Sequence, residues 1–317
     1  MGLDIGCFLH ILCLDDEQTQ KMEAELLKRI RSQPGTDLIG DDAAVIGDRL
    51  ITVDMLTEGV DFLLAETDPQ WIGRKALAVN LSDIAAMGGV PRWIFTAVAL
   101  PRTGALELAE QLLIGMQPLI DKYDLILAGG DTNTWDGGLV VSITVIGYVS
   151  EHGVFRRSGG KAGDRIFVTG KLGGSILHHQ FHFEPRIDEA LHLNKHYKIN
   201  AAMDISDGLT LDLYRLATES RLGATLYESK IPIAEDAVTL SQRSGRSPLE
   251  HALSDGEDFE LLFTVPPQEG ERLLLEQPFR SSGVTLYEIG ELTTENGLRI
   301  VTADGKTKPL VPRGFEH

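Results

Sequence analysis

The chain has few cysteines, few aromatic residues and a shortage of basic residues. Cys7 and Cys13 are the only cysteines among 317 residues, so no structural disulfide can form beyond residue 13. Aromatic residues make up only 6% of the chain, and its 33 glycines indicate many tight turns in a globular protein. Lys and Arg number 29 against 47 Asp and Glu, and this balance argues against a nucleic-acid-binding face. Cations are the expected ligands.

Long apolar runs are also missing. The segment CFLHILC at 7–13 is too short to cross a bilayer and lacks the basic flank and cleavage site of a secretory signal. We therefore expect a cytoplasmic protein that does not contact a membrane. Met22 begins an amphipathic helix, so residues 1–21 are expected to be an N-terminal extension, either a disordered appendage or the result of a misassigned start.

Strand and helix patterns alternate along the rest of the chain. AAVI and LITV flank GDR and predict a hairpin with Asp54 at the end of its second strand. Asp68 and Pro69 predict a helix start, and Gly88 and Gly89 predict its end. The polar, glycine-rich stretch at 150–163 predicts a junction between domains at 22–155 and 156–317. We expect an α/β or α+β protein of two layered domains.

Six short acidic motifs interrupt apolar runs, and we expect them at the ends of strands or helices. Taken singly, such motifs are usual in turns. They are GDD at 40–42, TVD at 52–54, NLSD at 80–83, GGD at 129–131, DISD at 204–207 and GED at 256–258.

Asp83 is harder to explain as turn chemistry, because its spacing from Asn80 places both on the buried face of a helix. A buried carboxylate is costly unless a cation or hydrogen-bond donors lie near it. Lys75 or Arg74 could supply a structural ion pair. The alternative is that the acidic motifs converge on divalent metal ions, and oxygen ligands without thiols favour magnesium over zinc.

Signals for phosphate binding are weaker. A Walker loop is absent, whereas GKLGGS at 170–175 could hold an anion or form an ordinary turn. The amides that follow Ser206 open a predicted helix and could meet a phosphate, unless Asp204 or Ser206 is only the helix cap. The basic group Arg156, Arg157 and Lys161 could attract a nucleotide or lie in a solvated loop. The histidine group His178, His179 and His182 fits a surface loop better than a zinc site.

Taken in order, these motifs resemble those of the thiamine-monophosphate kinase family, which belongs to an ATP-binding superfamily with aminoimidazole ribonucleotide synthetase. The resemblance covers residues 22–317. The matching segments are IGDDAAVI, TVDMLTEGVDF, IGRKALAVNLSDIAAMGG, AGGDT, RSGGKAGDRIFVTGKLG, MDISDGLTLDL, GEDFELLFT and the closing RGFEH.

This resemblance implies an aminoimidazole ribonucleotide synthetase-like fold. Its N-terminal domain has a mixed sheet that pairs in a homodimer, and its C-terminal α/β sandwich closes over ATP and substrate. It implies transfer of the ATP γ-phosphoryl group to thiamine monophosphate, with several Mg²⁺ ions. The implied metal ligands are Asp42, Thr52, Val53, Asp54, Asp83, Asp131, Asp204 and Asp207, of which Asp42, Asp83 and Asp207 also serve catalysis. ATP is expected to contact Gly130, Asp131, Arg157 and Ser206, and the acceptor to contact Asp61, Glu257 and Phe315.

The chain departs from the family pattern mainly at the acceptor end. Asp61 stands where histidine is common, Asp255 where glycine precedes GED, and Phe315 where tryptophan is common. Asn133, Thr134 and Trp135 follow GGD in place of a run with an arginine, and the segment 175–200 is short. The sequence therefore indicates ATP and magnesium more directly than it indicates the acceptor.

Two other functions fit parts of the sequence. One is a sister enzyme that uses ATP to activate an oxygen of another small molecule. The cysteines typical of selenophosphate synthetase and of a carbamoyl-transfer maturation factor are missing. The other is a metal-binding protein without catalysis.

Overall fold

The computed structural model describes residues 22–315, and the interpretation of residues 1–21 lies outside this part of the chain. The predicted first helix is confirmed as α1. The elements of the first half are α1 (Met22–Arg31), β1 (Ala44–Ile46), β2 (Arg49–Thr57), α2 (Pro69–Ala86), β3 (Val90–Pro101), α3 (Ala105–Lys122), β4 (Ile126–Trp135) and β5 (Val140–Tyr148).

The predicted hairpin forms, but its second strand is longer than expected. Ala44 of β1 pairs with Ile51 of β2, and β2 continues to Thr57. Asp54 therefore lies within the strand, and its expected position at the strand end is wrong. The alternation of inward and outward side chains continues past Asp54, and this explains why β2 is longer than expected. The inward face of β2 carries Leu50, Thr52, Asp54 and Leu56.

The first sheet has one covered and one uncovered face. Its strand order is β1-β2-β5-β3-β4, with β3 and β4 parallel and the other pairs antiparallel. Val141, Ile143 and Val145 of β5 lie on the face that packs beneath α2 and are fully buried. On the opposite face, within residues 22–315, Met55 remains 62% exposed and Trp135 46%. A second layer is thus missing from this face of the described chain.

Helix α2 lies at the centre of the molecule. Its predicted start is confirmed, because Asp68 accepts a 2.9 Å hydrogen bond from the amide of Gln70 and Pro69 follows. It ends before Gly88, which has a φ of 64°. Small and apolar residues occur all round this helix because it packs on β2 and β5 and also on the strands Ala201–Asp204 and Leu261–Val265 of the second half. Polar side chains on α2 are therefore brought against both halves.

The second half forms a larger mixed sheet flanked by helices. Its strand order is β12-β11-β8-β10-β6-β9-β7. The elements are β6 (Arg165–Thr169), α4 (His179–His182), α5 (Ile187–His196), β7 (Ala201–Asp204), α6 (Leu209–Glu219), β8 (Gly223–Tyr227), α7 (Glu235–Ser244), α8 (Pro248–Ser254), β9 (Leu261–Val265), α9 (Pro267–Glu276), β10 (Leu286–Thr293), β11 (Gly297–Val301) and β12 (Thr307–Leu310).

Alternating residues of the second sheet contribute to two cores. Phe167 and Phe263 stack at 5.7 Å and join the core around α2, whereas Val168 and Leu262 face the other core. The two-layered α/β architecture is confirmed. The boundary at residue 155 stays a prediction, and it falls between Tyr148, which ends the first sheet, and Arg165, which begins the second. Between residues 22 and 315 no helix combines the length and apolarity that crossing a membrane requires.

Candidate active site

Three aspartates from separate segments converge where the two halves meet. Carboxylate oxygens of Asp42, Asp83 and Asp204 all lie within 4.8 Å of one another. Asp42 precedes β1, Asp83 lies on α2 and Asp204 ends β7. Three of the six acidic motifs are thus brought together.

Hydroxyl groups hold two of these carboxylates. Thr52 on β2 donates a short hydrogen bond to Asp83. Ser82 on α2 donates a 2.6 Å hydrogen bond to Asp204. Thr52, Ser82 and Asp204 are all buried. The first sheet, α2 and the second sheet are therefore connected through the cluster itself.

Asp54 adds a further carboxylate, hydrogen-bonded to Asp83. Burial, together with the charges of Asp42, Asp61 and Asp207, raises the pKa of Asp54 to about 6. Burial and the charges of Asp54, Asp204 and Asp42 raise the pKa of Asp83 well above its ordinary value. Burial and the charge of Asp42 do the same for the pKa of Asp204. Close packing of like charges is therefore the main electrostatic feature of this site.

Arg157 is the cation next to the cluster. Its guanidinium binds both carboxylate oxygens of Asp42, at 2.7 and 3.4 Å. Burial disfavours the Arg157 cation, but the charge of Asp42 and this hydrogen bonding outweigh it and raise its pKa. The neighbouring Arg156 instead pairs with Asp41 at 2.6 Å and is more exposed. The two neighbouring arginines of the junction therefore have different partners, and of these two it is Arg157 that lies at the cluster.

Asp207 lies beside the cluster and is paired with Arg215. Asp212 accepts hydrogen bonds from the amides of Asp207 and Gly208, both at 3.0 Å, and burial raises its pKa to about 7. The following helix, α6, begins at Leu209 with Gly208 as its N-cap, so neither Asp204 nor Ser206 is the cap. Because Asp212 binds these two amides, they are not available for a phosphate, and the role of Ser206 and of the remaining amides at the helix start stays a prediction.

The residues predicted to contact the acceptor lie around the same junction. Asp61 accepts a 2.7 Å hydrogen bond from the amide of Thr57, which ends β2. Glu257 donates its amide to the carbonyl of Ser206 at 2.6 Å, and Phe315 donates its amide to the carbonyl of Asp207 at 2.8 Å. The GED motif and the closing segment are thereby attached to the DISD motif. The roles of Asp61, Glu257 and Phe315 in binding stay predictions.

The structural ion pair considered for Asp83 is wrong. Arg74 donates to the carbonyls of Phe181 and Phe183, at 3.0 and 2.6 Å. Lys75 pairs with Glu257. Within residues 22–315, neither Asp83 nor Asp204 forms an ion pair with Lys or Arg. Hydroxyl groups are the donors to these two carboxylates.

Gly130 and Asp131 are not brought to the cluster within one chain, and the side chain of Val53 faces away from it, whereas the main chain of Val53 lies between Thr52 and Asp54. Gly130 shares a row of the first sheet with Asp54, but three strand spacings separate them, roughly 14 Å. A Cβ on Gly130 would lie 2.0 Å from the carbonyl oxygen of Thr96, which explains the glycine. Asp131 and the side chain of Val53 lie on the opposite, uncovered face, and β4 continues to Trp135 rather than ending at the GGD motif.

Two weaker interpretations are also wrong. In GKLGGS, the amide of Gly173 donates to Asp258 at 2.8 Å and that of Gly174 to Asp255 at 3.0 Å. These glycine amides bind carboxylates of the chain and do not form an anion cradle. The surface loop expected for His178, His179 and His182 is replaced by the short helix α4, and among the described residues these histidines form no metal-ligating group.

The aspartate cluster fits a magnesium ion. Carboxylate oxygens are the ligands that Mg²⁺ prefers, and a divalent cation would offset the repulsion among Asp42, Asp83 and Asp204. One turn before Asp83, the fully buried Asn80 has a side-chain oxygen without a hydrogen-bond partner among residues 22–315. The residues present therefore suit a cation that prefers oxygen ligands, such as Mg²⁺.

Comparison with known protein families defines the class of this fold. Residues 40–149 match the family described as AIR synthase related protein, N-terminal domain, and residues 161–303 match its C-terminal domain. The two sheets thus correspond to the two domains of the AIR synthase-related class.

Similar proteins narrow this class to one family. A thiamine-monophosphate kinase of Rhodopirellula baltica is 40% identical, with 94% of this chain and 96% of that protein covered. The solved structure of AaThiL complexed with AMPPCP and TMP has a TM-score of 0.81 and 30% identity, covering 95% of this chain and 97% of that one. The chain belongs to the thiamine-monophosphate kinase family. The hydrogenase maturation protein HypE of E. coli, at 17% identity and a TM-score of 0.71 over 93% of this chain and 98% of that one, shares the fold alone.

Proposed function

We propose that the protein transfers the γ-phosphoryl group of ATP to thiamine monophosphate and forms thiamine diphosphate. The observation that carries the proposal is the convergence of Asp42, Asp83 and Asp204 at the junction of two AIR synthase-related domains. The relative AaThiL, with AMPPCP and TMP bound, supports both ligands.

Phosphoryl transfer of this kind needs no general base. The attacking group is a phosphate oxygen, and the second pKa of a phosphate monoester near 6 leaves it largely ionised at neutral pH. The obstacle is repulsion between two polyanions that must meet in line. Positioning and charge stabilisation are therefore the tasks of the protein, and the proposed site contains many carboxylates but no obligatory proton acceptor.

Asp42, Asp83 and Asp204 would hold Mg²⁺, with Asp54 and Asp207 adjacent. When bound, Mg²⁺ would neutralise phosphate charge and align the reacting groups. Arg157 orients Asp42 through its two contacts and adds the positive charge that a nucleotide phosphate requires. Thr52 and Ser82 fix the orientation of Asp83 and Asp204 by donating hydroxyl protons to them.

Asp61, Glu257 and Phe315 are proposed to receive the acceptor. Positive φ angles at Glu257 (55°) and Phe259 (48°) indicate backbone strain within and directly after the GED motif, and such strain is concentrated at binding and catalytic sites. Asp61 is engaged with the amide of Thr57, so its carboxylate supports the turn after β2 as well. The histidine common in the family at this position would lack that acceptor.

We further propose that two copies of the chain pair through the uncovered face of the first sheet. Val53 and Met55 on β2 are each 62% exposed, and Phe95 and Trp135 on the same face are 38% and 46% exposed. A sheet face that exposes several large apolar side chains in this way is unusual on a monomer. Because ATP is the proposed donor, the proposal also assigns the reaction to the cytoplasm.

Acceptor-dependent release of ADP tests the proposed reaction. The protein is incubated with ATP and Mg²⁺, with and without thiamine monophosphate, and both ADP and thiamine diphosphate are quantified. Equal amounts of the two products, formed only when the acceptor is present, support the kinase. ADP release independent of the acceptor would favour a sister enzyme with another substrate, and no release would favour a metal-binding protein without catalysis.

A further inference from the structure

Lys75 is a charged side chain that is fully buried within the described chain. It lies on α2, two turns before Asp83, and its relative exposure is 0%. An ammonium group removed from water is unstable unless acceptors surround it. The burial of the Lys75 ammonium group must therefore be explained by the groups that it contacts.

The partners of Lys75 come from three segments of both halves. Its Nζ donates to the carbonyl oxygen of Asp61 at 3.2 Å and to Oε1 of Gln180 at 2.7 Å. It also forms an ion pair with Oε1 of Glu257. The ring of Phe181 lies 5.2 Å from the same Nζ. Lys75 thus joins two of the residues predicted to contact the acceptor, Asp61 and Glu257.

Glu257 differs from Lys75 in being partly open to solvent. Its side chain is 33% exposed, and its backbone has a φ of 55°, which a glutamate adopts only when its surroundings enforce it. The amide of Glu257 is held by the carbonyl of Ser206 and its carboxylate by Lys75. The Glu257 carboxylate is therefore held by the buried Lys75 and remains partly accessible to solvent.

Aromatic side chains lie on the Lys75 side of this pair. Trp71, which is 38% exposed, lies 6.3 Å from Phe181 and edge-on to His182 at 4.8 Å. Planar heterocycles bind well beside such rings when a fixed polar group defines their orientation. The aminopyrimidine of thiamine is a planar ring whose amino group donates hydrogen bonds, and a carboxylate is a matching acceptor.

We propose that Lys75 is a positioning residue that orients the carboxylate of Glu257 to accept a hydrogen bond from the aminopyrimidine of the acceptor. The inference rests on the proposed function, since it assigns specificity within the same site. A purely structural ion pair between the two halves would instead stabilise the fold without any preference for one substrate.

Substrate discrimination tests the proposal. The measured quantity is the ratio of kcat/KM for thiamine monophosphate to kcat/KM for the thiazole monophosphate fragment, which lacks the aminopyrimidine. Lys75→Met should lower this ratio about tenfold or more and leave the KM for ATP within about twofold. Glu257→Gln should lower the ratio similarly, and the double variant should lose little more than either single variant because the two residues act as one unit.

Control variants separate positioning from folding. Lys230→Met removes another ion-paired lysine, the partner of Glu288 far from this site, and should leave the ratio unchanged. Lys75→Arg keeps the charge and should restore part of the ratio, which keeps the test valid if Lys75→Met fails to fold. Equal losses of kcat/KM for both acceptors and for ATP would overturn the positioning role of Lys75 but not the proposed function. Additive losses in the double variant would have the same meaning. Wild-type protein that turns over ATP but ignores thiamine monophosphate would overturn the proposed function and this inference with it.

Discussion

The hydroxyl of Ser82 on α2 donates a 2.6 Å hydrogen bond to the carboxylate of Asp204 at the end of β7. These residues are 122 positions apart and belong to the NLSD and DISD motifs. Both are buried, so the bond forms in surroundings where an unsatisfied partner is costly. It connects the first domain to the second at the metal-binding cluster proposed here.

Ser82→Ala should weaken both the domain contact and metal binding. Loss of this hydrogen bond is expected to cost about 1–2 kcal/mol of unfolding free energy, measured by urea denaturation. It should also raise the Mg²⁺ concentration needed for half-maximal activity several-fold, because Asp204 loses its orienting donor. Ser241→Ala is the matched control, since the Ser241 hydroxyl donates to the carbonyl of Val238 within α7, away from the cluster. An unchanged Mg²⁺ requirement in Ser82→Ala would contradict this role.

Asp83→Asn should separate activity from stability. Removing one of several crowded carboxylates lowers their repulsion, so the Mg²⁺-free protein is expected to gain about 1–2 kcal/mol of unfolding free energy. Phosphoryl transfer should fall at least about a thousandfold because a metal ligand is lost. Thermal unfolding in EDTA and the ADP assay measure the two effects. Substantial retained activity would show that Asp83 is not a ligand.

Arg157 and Arg156 are adjacent but should behave differently. Arg157→Gln removes the guanidinium that holds Asp42, so the KM for ATP should rise about tenfold or more. Arg156→Gln is the matched control, because Arg156 pairs with Asp41 and is 45% exposed. We expect its KM for ATP to stay within about twofold. Similar values for both variants would rule out the specific role of Arg157.

Asp258 should make stability fall as pH rises. Burial raises its pKa to about 8, against hydrogen bonds from Gly173 and Ser175 that lower it. The folded state therefore keeps a proton that the unfolded state releases near pH 4, and stability declines between about pH 4 and pH 8. Asp258→Asn should remove on the order of a few kcal/mol of this decline. Urea unfolding at pH 5 and pH 8 measures the difference.

The control for this pH dependence is Asp121→Asn, which changes an exposed aspartate on α3. It should leave the decline as it is in the wild type. Asp54 and the buried Asp212 also have raised pKa values and contribute to the decline in every variant, so the comparison concerns the difference between proteins. A decline of the same size in Asp258→Asn would contradict the assignment.

Met55→Glu should disrupt the proposed pairing of two chains. The substitution introduces a charge on the uncovered face of the first sheet, where Met55 is 62% exposed. Light scattering after size-exclusion chromatography should report a dimer for the wild type and a monomer for this variant. Val238→Glu places the same charge on α7, where Val238 is 46% exposed, and should leave the dimer intact. A wild-type monomer, or a dimeric Met55→Glu variant, would exclude this interface.

Local signals in the sequence predicted much of the fold. The Asp68–Pro69 start of α2, the β1–β2 hairpin and the glycines that end α2 are all confirmed because short-range chemistry determines them. Strand ends were predicted less well. Asp54 and Asp131 lie within strands, since pairing with β5 and β3 extends β2 and β4 past their acidic residues.

Residues that act through long-range contacts gave weaker signals in the sequence. The position of Asp83 on the inner face of α2 did predict a partner, but the donor is Thr52 rather than Lys75 or Arg74. Ser82, Asp212 and Lys75, the partner of Glu257, were missed as site residues, because their partners become visible only once distant segments are packed together. The available clue was that Lys75 and Ser82 are a charged and a hydroxyl residue in a helix whose sequence is small and apolar on all sides.

Calorimetric titration with AMPPCP tests most directly whether the gathered aspartates form a metal-dependent nucleotide site. The wild-type protein should bind AMPPCP in the presence of Mg²⁺ and lose that binding in EDTA, because the crowded carboxylates then repel the phosphates. Asp83→Asn should bind at least about tenfold more weakly with Mg²⁺ present. Binding of equal strength with and without Mg²⁺ would contradict the account.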